Sequence, residues 1–270
     1  MTDNIDFCRT KYPIILIHGL GLPDNSIFFN YWSKIPDVLK NYGANVFLSG
    51  HPHSGTHAEN AAIIKNRIQE ILHLTNSAKI NIIAHSKGGV EARYMLSKMD
   101  MAEKVASLTT LSTPHRGSTI SKLILENRHE LNPLIFFNTL MTYSLGIFDF
   151  NVFKIGEELT PDYMKKFNEK INDVSGVYYQ SYGGVIDNSH PNLLWRHLNH
   201  IMLQYEGEND GLVSSESFQW GNFKGSMTVN NKPLVSHFDL IGLHQFTGVY
   251  EFDSESFFIE SVHELKDMGY

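Results

Sequence analysis

Short apolar runs rich in β-branched residues alternate along this chain with segments whose apolar residues recur at helical spacing. Six runs predict buried strands, at residues 12–17, 44–49, 79–84, 104–113, 177–182 and 201–205. Four segments predict amphipathic helices, at residues 31–42, 57–72, 87–96 and 254–268. Strands and helices that alternate in this way are typical of a parallel sheet covered by helices on both faces.

Residues 118–175 interrupt this alternation. Within this segment apolar residues occupy nearly every side of a helical projection. The two apolar stripes comprise Leu134, Phe137, Met141, Leu145 and Phe148, and Phe136, Leu140, Tyr143 and Ile147. Polar residues interrupt the run, and it is shorter than a membrane span needs, so we predict no transmembrane segment. The segment is either ordinary core or a helical insertion that covers the carboxyl edge of the sheet as a lid.

The strongest candidate for chemistry is Ser86, which follows the third predicted strand and precedes a predicted helix. Ala84 and Gly88 flank the serine two positions away on each side. This spacing is that of a nucleophile elbow, with Ala84 in place of the usual first glycine. Small residues are needed there because strand and helix backbones approach closely, and the sharp turn strains the serine backbone. The alternative is a glycine-rich turn without chemistry.

Two further loops contain histidines. His18 and Gly19 follow the first predicted strand, where the next backbone N–H, that of Leu20, can face a developing negative charge. We interpret His18 as a brace for this loop rather than as a proton carrier. The loop 51–57 also contains histidines, but it lacks the Asp and the last His of a His-x-His-x-Asp-His metal motif. We therefore interpret it as a polar surface loop.

The chain also offers a base for such a serine, whose hydroxyl proton must be accepted during ester hydrolysis. Three histidines follow the glycine-rich turn at 207–214, namely His237, His244 and His263. His263 falls inside the last predicted helix, where we expect it to face solvent. His237 lies in the loop before that helix, from which a base could reach Ser86.

Four carboxylates are candidates for the acid, which would fix the nitrogen of the base's imidazole that carries the proton. Asp210 sits in a glycine-flanked turn, which suits a carboxylate fixed by backbone N–H groups. It also satisfies the chain order serine, acid, histidine that is typical of nucleophile-elbow enzymes. Glu208, Asp187 and Asp239 remain open on chemistry alone.

Composition and charge narrow the class of protein further. The 270 residues are 42% apolar, which suits one sizeable domain, and the net charge of −7 without a basic cluster argues against a nucleic-acid partner. The one cysteine, Cys8, allows no intrachain disulfide, which fits a reducing compartment. Residues 1–10 lack the pattern of a signal peptide, so we expect a cytoplasmic protein, with leaderless secretion as the alternative.

Several stretches together resemble the bacterial triacylglycerol lipases, and in particular lipase-like hydrolases of Gram-positive bacteria with an Ala-x-Ser-x-Gly elbow. These stretches are residues 11–20, 84–89, 112–117, 159–168, 179–182, 208–213 and 235–242. The resemblance implies an α/β-hydrolase fold, with a mostly parallel central sheet, helices on both faces and a lid insertion at about 118–175. It also implies a triad of Ser86, Asp210 and His237, and an oxyanion hole formed by the backbone N–H groups of Leu20 and Lys87.

The implied activity is hydrolysis of carboxylic esters, as a lipase or esterase acting on acylglycerols or related lipid esters. The implied partners are a lipid or small-molecule ester and, through the lid, a transient contact with a lipid interface. A short-chain carboxylesterase, a thioesterase or an acyltransferase could use the same residues. A binding protein on a hydrolase fold is the alternative from another class.

The chemistry itself needs no cofactor, but many of these lipases hold a structural calcium near the catalytic histidine. The resemblance assigns one carboxylate ligand to Asp239 and, in some branches, another to Asp187. His244 stands where one branch has a further Asp, which removes an anionic ligand that calcium favours.

We expect the side chain of Lys87, next to the serine, to be solvated.

Overall fold

The computed structural model describes residues 6–21, 24, 30–126 and 156–270. Within them the strands form one six-stranded sheet in the order β2-β1-β3-β4-β5-β6, and every neighbouring pair is parallel. The strands are β1 Ile14–Ile17, β2 Val46–Leu48, β3 Ile80–His85, β4 Val105–Leu111, β5 Tyr178–Gly184 and β6 Asn222–Met227. Because all strands are parallel, their carboxyl ends lie at one edge, where sites in such sheets form.

The helices follow the strands in sequence. They are α1 Ile35–Asn41, α2 His57–Thr75, α3 Lys87–Lys98, α4 Thr119–Leu125, α5 Pro161–Lys170, α6 Leu193–Tyr205, α7 Ser215–Phe218 and α8 Ser254–Asp267. Single 3-10 turns occupy Ala102–Lys104, Asp239–Ile241 and His244–Phe246. The amino end of α2 has a complete capping box, in which Thr56 and Glu59 each bond the other's backbone N–H.

The core lies on both faces of the sheet, because successive residues of a strand point to opposite sides. Ile14 and Leu16 belong to the cluster that includes Ile35 of α1 and Phe258 of α8. Their neighbours Ile15 and Ile17 belong to a second cluster, with Ile64, Ile68 and Ile71 of α2 and Met95 of α3. The predicted α/β architecture with helices on both faces is therefore confirmed.

One strand that we predicted is wrong, and one strand of the sheet was missed. Residues 201–205 end helix α6 and are not a strand. The side chain of Asn192 accepts hydrogen bonds from the first-turn N–H groups of this helix, and buried residues recur at helical spacing. Strand β6 was not predicted, because it is a half-exposed edge strand with Gly225 inside it and few apolar residues.

The predicted helix at 31–42 is shorter than its apolar spacing indicates. Residues before Ile35 form turns, and Ser33 has a φ of 51°. Pro36 occupies the first turn of α1, where its missing N–H leaves no hydrogen bond unmade.

Half of the predicted lid, residues 127–155, falls outside the described residues, and this half includes both apolar stripes between 134 and 148. The described parts of 118–175 pack against the body of the protein. Ile120 and Leu123 of α4 contact the cluster around Trp195, while Met164 of α5 contacts Val90 of α3. Among the residues that the structure describes, none of the helices combines the length and the apolar character that crossing a membrane requires.

Candidate active site

Ser86 lies on a strained turn between β3 and α3. Its φ of 54° and ψ of −132° are unusual for a residue other than glycine, and such conformations cost about 1–3 kcal/mol. The half-buried serine is held by its own N–H, which donates to the carbonyl of Leu111 at 2.9 Å. A Cβ added to Gly88 would lie 2.4 Å from the backbone oxygen of His18, so a larger residue does not fit there. This geometry is that of the predicted elbow.

The loop after β1 lies directly against the serine. A Cβ added to Gly19 would lie only 2.7 Å from the Cβ of Ser86. Leu20 follows in this loop, and Lys87 is the first residue of α3. Backbone N–H groups in the first turn of a helix have no partner within the helix, so that of Lys87 is available to an anion beside Ser86.

Asp210 and His237 form a buried pair at the carboxyl edge of the sheet. His237 Nδ1 lies 2.8 Å from Asp210 Oδ2, and the two side chains are 3% and 0% exposed. The other carboxylate oxygen accepts from the N–H groups of Leu212 at 2.9 Å and Val213 at 2.8 Å. The carboxylate holds the Nδ1 proton of the imidazole, which leaves Nε2 to accept a proton. The carboxylate therefore holds the imidazole of His237 in one orientation.

The other candidate acids have different contacts. One oxygen of Asp239 accepts from the N–H of Ser236 at 2.9 Å and from its hydroxyl at 2.6 Å. Asp187 accepts from the N–H of Ser189 at 2.7 Å, within an exposed turn. Glu208 is exposed. Of the four carboxylates that the sequence left open, Asp210 is the one paired with His237.

The other candidate histidines lie elsewhere. His244 Nδ1 is 3.2 Å from Asp239 Oδ1. His263, which we expected to face solvent, is partly buried on the far side of α8, where its ring stacks on Phe7 at 3.7 Å. Neither residue is placed as the base for Ser86.

The surroundings of Asp239 do not fit a calcium ion. Both carboxylate oxygens accept hydrogen bonds, from Ser236, His244 and the hydroxyl of Thr247. Burial raises the pKa of Asp239, but hydrogen bonds from these groups and His190 outweigh it and lower the pKa. Calcium needs several oxygen ligands, whereas this carboxylate is surrounded by proton donors. Within the described ranges, no group of three or more His, Cys, Asp or Glu side chains is arranged to hold a metal.

The side chain of Lys87 is buried, so the expectation that it is solvated is wrong. Lys87 is 1% exposed and forms an ion pair with Glu91, one turn further along α3. Burial raises the pKa of Glu91, but the charge of Lys87 and contact with His51 outweigh it and bring the pKa to about 2. The four-residue spacing of Lys87 and Glu91 is a signal of this pair that sequence analysis could have used.

The loop 51–57 is not the polar surface loop that we predicted, because two of its histidines are buried. His51 lies 3.1 Å from Glu91 and stacks on His18 at 3.9 Å. His57 Nε2 lies 3.1 Å from the backbone oxygen of Glu158. His18 Nε2 is 2.9 Å from the backbone oxygen of His51, so His18 links two loops as the predicted brace. Burial, followed by the charge of His51, lowers the pKa of His18 to about 4.

Comparisons with known proteins agree with the fold. The family model described as alpha/beta hydrolase fold matches residues 12–138. Triacylglycerol lipase 2 of Saccharomyces cerevisiae is 28% identical over 209 residues, which are 75% of this chain and 61% of that protein. A triacylglycerol lipase of Pseudarthrobacter phenanthrenivorans is 34% identical over 122 residues, or 44% of this chain and 38% of that protein. The chain thus spans less than two thirds of these relatives.

A solved structure has the same fold. The mature form of the Bacillus licheniformis lipase BlEst2 superimposes with a TM-score of 0.67 at 21% identity, covering 88% of this chain and 89% of that one. The parallel sheet, the strained turn after β3, the family match and this superposition show that the chain has the α/β-hydrolase fold. Over the matched part of their length, the chain is similar to bacterial triacylglycerol lipases.

Proposed function

We propose that this protein hydrolyses carboxylic esters of lipids through Ser86, Asp210 and His237. The observation that carries the proposal is the buried Asp210–His237 pair, 2.8 Å apart, at the sheet edge where Ser86 occupies a strained elbow. The relatives' names, triacylglycerol lipase in both yeast and bacteria, favour an ester substrate.

In the proposed reaction His237 Nε2 accepts the hydroxyl proton of Ser86 as the serine oxygen attacks the ester carbonyl. The oxyanion of the tetrahedral intermediate binds the backbone N–H groups of Leu20 and Lys87. His237 then donates its proton to the leaving alcohol, which departs and leaves an acyl-enzyme. A water molecule gives a proton to His237, attacks the acyl group and releases the acid, while Ser86 regains its proton.

The direct test is a Ser86→Ala variant assayed on p-nitrophenyl esters and with a fluorophosphonate probe. We expect loss of both turnover and labelling with an unchanged unfolding temperature, since only the nucleophile is removed. Ser189→Ala, in an exposed turn, is the matched control and should retain both. Turnover by Ser86→Ala close to that of the wild type would refute the proposal.

We further propose that segment 118–175 is a lid that admits acyl chains and contacts lipid interfaces. Two contacts support this proposal: the hydroxyl of Ser118 donates to the backbone oxygen of Leu212, two residues from Asp210, and Glu158 accepts from the N–H of His57. A series of p-nitrophenyl esters from acetate to palmitate, with and without an emulsion, tests this. Preference for long chains that rises at an interface supports the lid, whereas preference for acetate indicates a short-chain esterase.

A further inference from the structure

A chain of buried hydrogen bonds joins the three parts of the proposed active site. The N–H of Gly19, in the loop against Ser86, donates to the hydroxyl of Tyr31 at 2.8 Å. That hydroxyl lies 2.6 Å from His85 Nδ1, and His85 Nε2 lies 3.1 Å from the backbone oxygen of His237. His85 directly precedes the nucleophile. These hydrogen bonds therefore connect the loop that contains Gly19 with the loop that bears His237, and they pass through the residue before Ser86.

The direction of every hydrogen bond in this chain is fixed. The backbone oxygen of His237 can only accept, so His85 Nε2 must carry a proton. Burial, followed by the charge of His237, lowers the pKa of His85 well below its usual value, so the ring is neutral and its Nδ1 is an acceptor. The hydroxyl of Tyr31 therefore donates to His85 and accepts from Gly19. If the donor and acceptor of any of these hydrogen bonds were exchanged, a buried polar group would be left unpaired.

Tyr31 and His85 are also closed off from solvent. Tyr31 is 1% exposed and His85 is 0% exposed. The rings of His85 and His237 have centroids 4.5 Å apart, so movement of one ring displaces the other. A Cβ on Gly19 would lie 2.8 Å from the hydroxyl of Tyr31, which shows how tightly the loop is seated on that tyrosine. Such a dry, fully paired chain holds its ends in one arrangement.

We propose that Tyr31 and His85 are positioning residues. Through these hydrogen bonds they hold the loop that contains Gly19, the turn at Ser86 and the loop that bears His237 in fixed positions relative to one another. Neither residue takes part in the reaction itself. Tyr31 fixes the loop whose Leu20 N–H receives the oxyanion, and His85 fixes the backbone of the base. This inference rests on the proposed function and assigns a role to residues that the proposed mechanism does not use.

The first experiment compares Tyr31→Phe with Tyr182→Phe. Both variants lose one hydroxyl from a buried tyrosine, but the Tyr182 hydroxyl donates to Glu264 and not toward the site. We expect Tyr31→Phe to lower kcat by about tenfold to hundredfold, since misplacement by about 1 Å costs on that order. KM should change by less than about twofold, because ground-state binding is untouched. Tyr182→Phe should keep the wild-type kcat.

The second experiment replaces His85. A glutamine there can donate an N–H to the backbone oxygen of His237, whereas phenylalanine cannot. We expect His85→Gln to retain clearly more turnover and faster fluorophosphonate labelling of Ser86 than His85→Phe, at similar unfolding temperatures. A purely structural role would lower the unfolding temperature and leave kcat per labelled site unchanged.

The outcomes separate the two proposals. Wild-type protein that neither labels at Ser86 nor hydrolyses esters would overturn the proposed function and this inference with it. Wild-type activity together with an unaltered kcat in Tyr31→Phe would overturn the positioning role alone. The same conclusion follows if Tyr31→Phe fails to fold and His85→Gln and His85→Phe turn over equally.

Discussion

Replacement of Glu91 by glutamine should strongly destabilise the fold. The Glu91 carboxylate is 1% exposed, forms an ion pair with Lys87 and lies 3.1 Å from His51 Nε2. Asn60 also donates to Glu91 Oε1 at 2.7 Å. Glutamine preserves the size of the side chain but removes its charge. The ammonium of Lys87 would then be buried without a counter-charge.

The size of the effect follows from the pKa of Glu91, which falls from 4.5 to about 2 on folding. This lowering of the pKa corresponds to roughly 3 kcal/mol of stability at neutral pH. Removing one partner of a buried ion pair typically costs about 3–5 kcal/mol, which agrees. Glu91→Gln should therefore lower the free energy of unfolding by about 3 kcal/mol at pH 7.

The stability lost in Glu91→Gln should depend on pH in a defined direction. Because the folded-state pKa of Glu91 is lowered, its contribution is complete above about pH 4.5 and is lost as the pH falls toward 2. Glutamine does not titrate. The difference between wild type and variant should therefore be largest at neutral pH and shrink below pH 4.5.

Urea unfolding followed by tryptophan fluorescence at pH 7 and at about pH 3.5 measures both effects. Asp37→Asn is the matched control, because Asp37 pairs with Lys40 on a helix at 3.9 Å while both side chains are mostly exposed. That variant should change stability little. If Glu91→Gln were as stable as Asp37→Asn at pH 7, the buried pair would not stabilise the fold as argued.

Three further predictions concern the acid, the elbow and the pH range. Asp210→Asn should lower kcat by about four orders of magnitude with the fold retained, as in other triads, because the amide favours the wrong imidazole tautomer. A larger loss of kcat in a folded Asp239→Asn variant would show that the acid is misassigned. Gly88→Ala should destabilise by about 1–3 kcal/mol in thermal unfolding, since its Cβ meets the backbone oxygen of His18; an unchanged midpoint would contradict this. Burial, followed by the charge of Lys87, lowers the pKa of His57 from 6.5 to about 4, so wild-type stability should fall as the pH drops from 6.5 toward 4. In urea unfolding across that pH range, the free energy of unfolding should fall less in His57→Asn than in the wild type. Equal falls in the two proteins would show that His57 is not responsible.

The sequence predicted the elements that are buried on both sides. Strand β1 is a continuous apolar run, and strands β3 and β4 combine apolar and β-branched residues that are buried throughout, which is typical of the centre of a parallel sheet. The elbow was predictable because its chemistry needs small residues at fixed spacing around Ser86. Asp210, which we favour as the acid, is paired with His237, and its glycine-flanked turn supplies backbone donors to the other oxygen. Its role as the acid stays a prediction.

Buried polar contacts between distant segments could not be predicted in the same way. His51 has a polar side chain whose burial depends on Glu91, and no local pattern shows that loop 51–57 folds over α3. The link from Tyr31 to His85 joins residues 54 positions apart and likewise has no local signal. The run at 201–205 was misassigned because a short apolar run fits a buried strand and a helix end equally well.

The proposed active-site residues lie far apart in the sequence, so they are synthesised at different times. His85 contacts the backbone of His237 across 152 residues. At a synthesis rate of about 5–20 residues per second, roughly 8–30 s pass between the appearance of the elbow and that of its proposed base. Ser86 lacks its proposed base throughout that interval, and it lacks its proposed acid, Asp210, for most of it. The enzyme that we propose would therefore be inert toward nearby lipids until the last third of the chain has been made and has docked against the sheet.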